Sequence, residues 1–346
     1  MNKHARVLFV GDLWRGSNAK SLADGFAAAG ADVVTVDTTG VASPALGSPE
    51  WVYRKVKGRR APWLLNRVHA RIHAAADAFR PQFLVCFKSI HLDQDLLLHL
   101  PGNPVTVHYS PDDVSNPANT TPAYLAAEAG WDLVVTTKRH NVGELRARGA
   151  RAVAFVRSAY DPAWHHLSYR PSPRRWPIGF IGNYRPDRVE VFRRLGAAFP
   201  GRCVIHGPYW RRALPRGIPG VAVSAGRYAE DFSTTVAGIQ ANLVLLNSDN
   251  RDTHTCRSFE VPAAGGLFVG ERTTEHQELL TDGRECLLFD GEDELLDILG
   301  SLAPAAATRV AAAGHHRVTT SGHTYADRAR QIMGTLTGRT ELEVPA

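Results

Sequence analysis

The chain is poor in cysteine and has no two cysteines close together. Its 346 residues include only four, Cys86, Cys203, Cys256 and Cys286, with no CxxC spacing. That excludes a zinc knuckle or a dithiol redox motif. In a reducing compartment the four are expected as free, packed thiols. Long apolar runs are also missing. No stretch of about 18 uncharged apolar residues occurs, which argues against a simple spanning helix. The basic start of the chain leads into an apolar run of only Val7 to Val10, closed by Gly11-Asp12. That is a short strand, too short for a signal-peptide core. The expected location is therefore the cytoplasm. Nor does one sign of charge dominate: 40 Lys and Arg against 34 Asp and Glu leave a net charge of +6. Such a balance suits a phosphate-bearing partner or an ordinary solvated surface equally well. Internal repeats and long low-complexity tracts are absent.

What is present is a normal apolar content, 44%, in a length that suggests two domains. Short apolar runs alternate with segments of helical spacing. Strands are expected at 6–10, 31–36, 82–87, 104–108, 132–136 and 151–156, with helices at 21–29, 64–79 and 141–148 between them. Parallel βαβ units follow from that rhythm. Proline then clusters at Pro162, Pro171, Pro173 and Pro177, which marks a linker. The alternation restarts with strands at 176–181, 202–205, 241–246, 266–270 and 285–289. Helices are expected at 188–199, 258–264, 292–302, 305–314 and 325–336. The reading is an α/β protein of two Rossmann-like domains facing a central cleft. Residues 1–165 form the first domain, 166–177 the linker and 178–322 the second domain. In such sheets ligands bind beyond the carboxyl ends of the strands.

The stretch Asn247 to Gly266 is the most informative. A polar loop follows an apolar strand and runs into a helix start, which Thr255 or Ser258 could cap. Helix N-termini favour phosphate. Arg257 and Glu260 lie one turn apart on one face. A carboxylate there can accept both hydroxyls of a ribose, and an arginine can hold a diphosphate bidentately. An ordinary i,i+3 ion pair at a polar helix start fits the same residues.

The runs Arg257-Ser-Phe-Glu-Val-Pro-Ala-Ala-Gly-Gly-Leu-Phe-Val-Gly-Glu-Arg272, Glu275-His-Gln-Glu-Leu-Leu280 and Asp282-Gly-Arg-Glu-Cys-Leu-Leu-Phe-Asp290 resemble a known donor-domain signature. It is that of the glycosyl transferases group 1 superfamily, and the similarity is greatest to its CgeB-like spore-maturation branch. The resemblance implies a GT-B fold and transfer of a glycosyl group from a nucleotide-diphosphate sugar to an acceptor hydroxyl. It places Glu260 on the ribose. Retaining members carry an E-x7-E pair; Glu260 matches its second acid, and Asp252, a shorter acid, stands at the first. The resemblance thus sets Asp252 near the donor sugar. It also implies a C-terminal helix, 323–337, that returns to the first domain.

A second candidate donor loop is Gly179-Phe-Ile-Gly182-Asn-Tyr-Arg185-Pro-Asp-Arg188. Gly182 permits close backbone approach. Arg185 and Arg188 are candidates to neutralise the leaving diphosphate. His206, in His206-Gly-Pro-Tyr-Trp210, is a candidate wall for the base. The first domain is expected to hold the acceptor. There His108 and Asp112, in His108-Tyr-Ser-Pro-Asp112-Asp113, are candidates for the general base, although Asp112-Asp113 after Pro111 also suits an Asx turn. No cofactor or metal is expected beyond the nucleotide-sugar donor, because arginines and a helix start would hold the diphosphate.

Three features carry less weight. His69 and His73 have metal-ligand spacing but no third ligand. His165-His166 and His315-His316 are expected to be exposed. The basic, aromatic segment 51–63 reads as a mobile surface loop, with at most peripheral membrane contact. Nucleic acid is not an expected partner; the acceptor, whether glycan, lipid-linked, natural product or protein, stays open. The alternatives are a nucleotide-sugar epimerase and a non-catalytic nucleotide-sugar-binding protein.

Overall fold

The computed structural model describes residues 4–167 and 175–338. Packing divides them into two units, 4–157 with 325–338, and 158–167 with 175–324.

The first unit holds a six-stranded parallel sheet. Its strands are β1 (Arg6–Gly11), β2 (Asp32–Asp37), β3 (Phe83–Phe87), β4 (Val105–Ser110), β5 (Leu133–Thr136) and β6 (Val153–Phe155), in the order β2-β1-β3-β4-β5-β6. In register, Val10 lies between Val36 and Cys86. Val7 to Val10 are fully buried, as an apolar run must be when helices cover both faces. The helix Pro62–Phe79 starts with Pro in its first turn and buries Val68, Ile72 and Ala76, spaced one turn apart. The helix Tyr325–Leu336 packs on Asn18–Ala28. Gly25 makes this fit: a Cβ there would meet the Tyr325 carbonyl at 2.6 Å. The strand order reverses between β1 and β3, so the crevice of this unit lies beyond their carboxyl ends.

The second unit repeats the architecture with a different order. Its strands are β7 (Trp176–Ile181), β8 (Cys203–His206), β9 (Val221–Ser224), β10 (Ile239–Val244), β11 (Leu267–Glu271) and β12 (Leu287–Phe289). All pair in parallel, in the order β12-β11-β10-β7-β8-β9. That is the dinucleotide-fold order 6-5-4-1-2-3, with its reversal between β7 and β10. Leu243 of β10 lies between Phe180 and Val269, and both faces of the sheet are covered by apolar clusters.

Several expectations need correction. The packing boundary falls at 157/158, so residues 158–165 belong with the second unit. Of the expected linker, 168–174 lie outside the described residues. The segment 51–63 is not a loop: Pro49–Lys57 is a helix, capped by Ser48 and ended by a left-handed Gly58. The strand β9 and the helix Glu230–Ala237 were not foreseen. No single helix among the described residues is long and apolar enough to cross a membrane.

Candidate functional site

The reversal between β7 and β10 selects two loops of the second unit, 182–188 and 245–257. Side chains bind them to each other. Arg188 is buried, and its guanidinium donates to the carbonyls of Asn183 (3.0 Å), Leu245 (2.7 Å) and Leu246 (3.3 Å) and to Asn247 Oδ1 (2.7 Å). Burial pushes its pKa down to about 10. Arg185 pairs with Asp249, and Ser248 Oγ donates to Asp187 at 2.7 Å. Beneath them Gly182 meets the β8 loop. Its N–H donates to the His206 carbonyl at 3.0 Å, and its carbonyl accepts from Trp210 Nε1 at 3.0 Å. A Cβ on Gly207 would lie 1.8 Å from that carbonyl, so the two loops cross backbone to backbone.

Arg257 opens the short helix Arg257–Ala263. Its Nε donates to the Ile181 carbonyl at 3.2 Å, its Nη1 pairs with Glu260, and its plane lies over Phe232 at 4.5 Å. The helix thereby reaches the end of β7. Glu260 is buried at 2% exposure. Its other oxygen faces His165 Nε2 at 3.7 Å. His165 Nδ1 accepts from the Asp161 N–H at 3.0 Å, which places the proton of neutral imidazole on Nε2, toward Glu260. Burial lowers the His165 pKa, against the pull of Glu260. One carboxylate therefore sits between a guanidinium and an imidazole at the mouth of the β7–β10 crevice. Arg227 and Tyr228 border the same space: Arg227 Nε donates to His206 Nδ1 at 3.4 Å, and Tyr228 is close enough to Arg257 for their charges to interact. Burial and Arg227 push His206 down to about 4, so it is neutral near pH 7.

Behind this layer two buried histidines fix the helix start. His254 Nε2 accepts from the Ser158 N–H at 3.0 Å, and its Nδ1 is bonded to Glu275. His276 Nδ1 donates to the Glu271 carbonyl at 2.7 Å, and its Nε2 lies 2.8 Å from Ser258 Oγ. Ser258 Oγ in turn accepts from the Thr255 N–H at 3.1 Å.

In the first unit, acids and a lysine meet beyond β1, β3 and β4. Lys88, with a left-handed φ of 50°, pairs with Asp112. Asp12, whose pKa is raised by burial, also feels Lys88.

The structure brings Gly182, Arg185, Arg188, Asp252, Arg257 and Glu260 to the β7–β10 crevice and His206 to its β8 side. It alters several of their roles. Arg188 is a structural clamp, because its donors go to backbone carbonyls of both loops and to Asn247 Oδ1. Asp252 is bound into its own loop. Its carboxylate accepts from Asn247 N (3.3 Å), Asn247 Nδ2 (2.8 Å) and Asn250 Nδ2 (2.8 Å). His108 is not a base candidate. β4 runs on to Ser110, so His108 is a strand residue opposite Cys86, fully buried against Tyr124 (4.4 Å) and Trp131 (5.3 Å). Burial pushes it down to about 3. Asp113 makes the Asx turn, accepting from the Ser115 N–H at 2.9 Å. Neither Thr255 nor Ser258 caps the helix, which starts after Cys256 without a side-chain cap. His165 is buried and His315 Nδ1 bonds the carbonyls of Pro262 (3.1 Å) and Ala263 (3.0 Å), so neither is a free surface histidine. His166 and His316 are exposed, as expected. His69 Nε2 accepts from the Asp93 N–H at 3.0 Å.

Comparison with known proteins follows the same division. Residues 186–334, which hold most of this site, match the family described as glycosyl transferase-like. No curated protein sequence matches the chain. Among solved structures, the sucrose-phosphate synthase of Thermosynechococcus elongatus is similar, with a TM-score of 0.65 and 14% identity over 97% of this chain and 99% of that one. HepE of Anabaena, in complex with UDP and glucose, gives 0.62 and 13% over 97% and 100%. The UDP-GlcNAc 2-epimerase of Neisseria meningitidis, bound to UDP-GlcNAc, gives 0.53 and 10% over 96% and 100%. At these identities the likeness is one of fold. The fold is α/β of the GT-B kind, two Rossmann-like units in one chain. The family match over residues 186–334 supports a glycosyl transferase-like second unit.

Proposed function

We propose that the second unit binds a nucleotide-diphosphate sugar and that the protein transfers its glycosyl group to an acceptor hydroxyl without a metal. The observation that carries this reading is the Arg257–Glu260 pair, held to the end of β7 at the strand-order reversal. Glu260 is placed to accept ribose hydroxyls. Arg257 Nη2, without a partner among the described residues, is placed to meet the diphosphate. Arg185 can exchange Asp249 for phosphate. In transfer, the bond from the anomeric carbon to the diphosphate oxygen breaks, the acceptor oxygen bonds to that carbon, and its proton goes to a base. Negative charge grows on the leaving diphosphate, where fixed arginines lower the barrier. In the first unit Asp112, beside Lys88, is our candidate for that base.

HepE has been solved with UDP-glucose, which supports a uridine donor as the first to test. Retention of configuration rests on Asp252 at the first position of the acidic pair, with Asp252 acting through its loop. The run 257–272 supports a place nearest the CgeB-like branch, and the four free thiols support a reducing compartment such as the cytoplasm. The test is release of nucleoside diphosphate from UDP-, GDP- and dTDP-sugars, with and without acceptor mixtures. Release that rises with acceptor supports transfer. Interconversion of the donor sugar without release of nucleotide would mark an epimerase instead.

A further inference from the structure

The helix Pro49–Lys57 of the first unit buries none of its residues, although it carries Trp51, Val52, Tyr53 and Val56. It is nevertheless well fixed. Ser48 Oγ accepts from the Trp51 N–H at 3.1 Å. Glu50 accepts from Trp63 Nε1 at 3.1 Å and pairs with Arg67 at 3.4 Å, and Tyr53 packs edge-on to Trp63 at 5.0 Å. These contacts use one side of the helix. Val52 and Val56, one turn apart, stand 46% and 71% exposed; Leu46, just before the helix in sequence, is 84% exposed, and Trp63, beside Tyr53, 45%. Exposing several large apolar groups in one patch is costly unless something covers them.

The charge around these side chains is one-sided. Between Glu50 and Arg67 there are six cations, Arg54, Lys55, Lys57, Arg59, Arg60 and Arg67, against one acid. This segment alone carries +5 of the chain's net +6. Lys55 lies 5.7 Å over the Trp51 ring. Five of the cations, Arg54, Lys55, Lys57, Arg59 and Arg67, are exposed.

We propose that this helix and the turn after it dock the protein on an anionic lipid bilayer. The cations meet lipid phosphates, and Val52, Val56 and Leu46 enter the headgroup–acyl boundary. A basic face combined with shallow apolar insertion is the signature of an interfacial helix. A soluble polyanion such as a nucleic acid satisfies the cations but gives the valines and Leu46 nothing to enter, so the bilayer accounts for both halves of the patch.

Flotation of the full chain with vesicles tests this. The vesicles are phosphatidylcholine alone or phosphatidylcholine with about one third phosphatidylglycerol. The expected result is binding to the anionic vesicles only, weakened by salt. Each of Lys55→Gln, Lys57→Gln and Arg59→Gln should weaken partitioning about fivefold. The pair Val52→Ser and Val56→Ser, which leaves the charge intact, should weaken it about tenfold. All these sites are exposed, so the melting temperature should be unchanged and serves as the folding control. No binding to anionic vesicles overturns the proposal. So does wild-type binding by the serine pair, and so does a DNA duplex that binds wild type and the serine pair alike at the affinity of the vesicles. The result is independent of whether nucleotide sugars bind.

Discussion

Replacing Arg188 by leucine separates two roles for the same side chain. If the guanidinium is a clamp, Arg188→Leu strips donors from the carbonyls of Asn183, Leu245 and Leu246 and from Asn247 Oδ1. A hydrogen bond from a charged donor contributes about 1.5–3 kcal/mol. The Leu246 contact is long at 3.3 Å, and a loop carbonyl can recruit water, so the total loss should be about 4 kcal/mol. For a unit of this size each kcal/mol moves the melting temperature by about 2–4 °C, giving a fall of about 8–16 °C. Arg185→Leu is the internal control. Its partner Asp249 is 58% exposed, and surface pairs contribute about 0–1 kcal/mol, so the fall should stay below about 4 °C. Differential scanning fluorimetry reads both. The reasoning is refuted if Arg188→Leu melts within about two degrees of wild type yet no longer binds nucleotide, because Arg188 would then be a ligand of the phosphates.

Further predictions concern pH and the acidic loop. Burial pushes His108 down to about 3 and His276 to about 4, from an ordinary 6.5. Both are neutral in the fold and take up protons on unfolding, so stability falls as pH drops from about 6.5 to 4, by about 3 kcal/mol for each at pH 4. Urea titrations across that range should show the slope, and His108→Phe should flatten it by one group. Asp252→Ala removes the acceptor for Asn247 and Asn250. Melting temperature and nucleotide affinity should therefore fall together, whereas loss of transfer with both intact would put Asp252 directly on the sugar.

The strands were legible because their apolar runs are continuous and closed by Gly or Asp, as at Val7 to Val10 and Trp176 to Ile181. β9 was not, because Val221–Ser224 is four residues long with no residue fully buried. The helix Pro49–Lys57 escaped notice because its apolar pair, Val52 and Val56, spans a single turn and is set among cations. In the site, Arg257 and Glu260 could be paired from their spacing. His165 could not, since it is 95 positions from Glu260 and no local pattern connects them. The clamping bonds of Arg188 were not legible because its acceptors come from a loop 57 to 59 residues further on. His108 was misread because β4 runs two residues past the expected end, turning a histidine at the strand's end into a core one. His254 lay within the stretch already singled out, but its partners Ser158 and Glu275 are distant in sequence.

The most direct test of the central claim is the melting temperature of wild type and Glu260→Gln with UDP, GDP and dTDP. A ligand at a hundred times its Kd stabilises by about 2.7 kcal/mol, a rise of about 5–11 °C for a unit of this size. We expect one of the three to raise wild type by that amount and to leave Glu260→Gln unmoved, with the variant still folded. An equal rise in both proteins, or none in wild type with any nucleotide, would contradict the assignment of Glu260 and the β7–β10 crevice to a nucleotide-sugar donor.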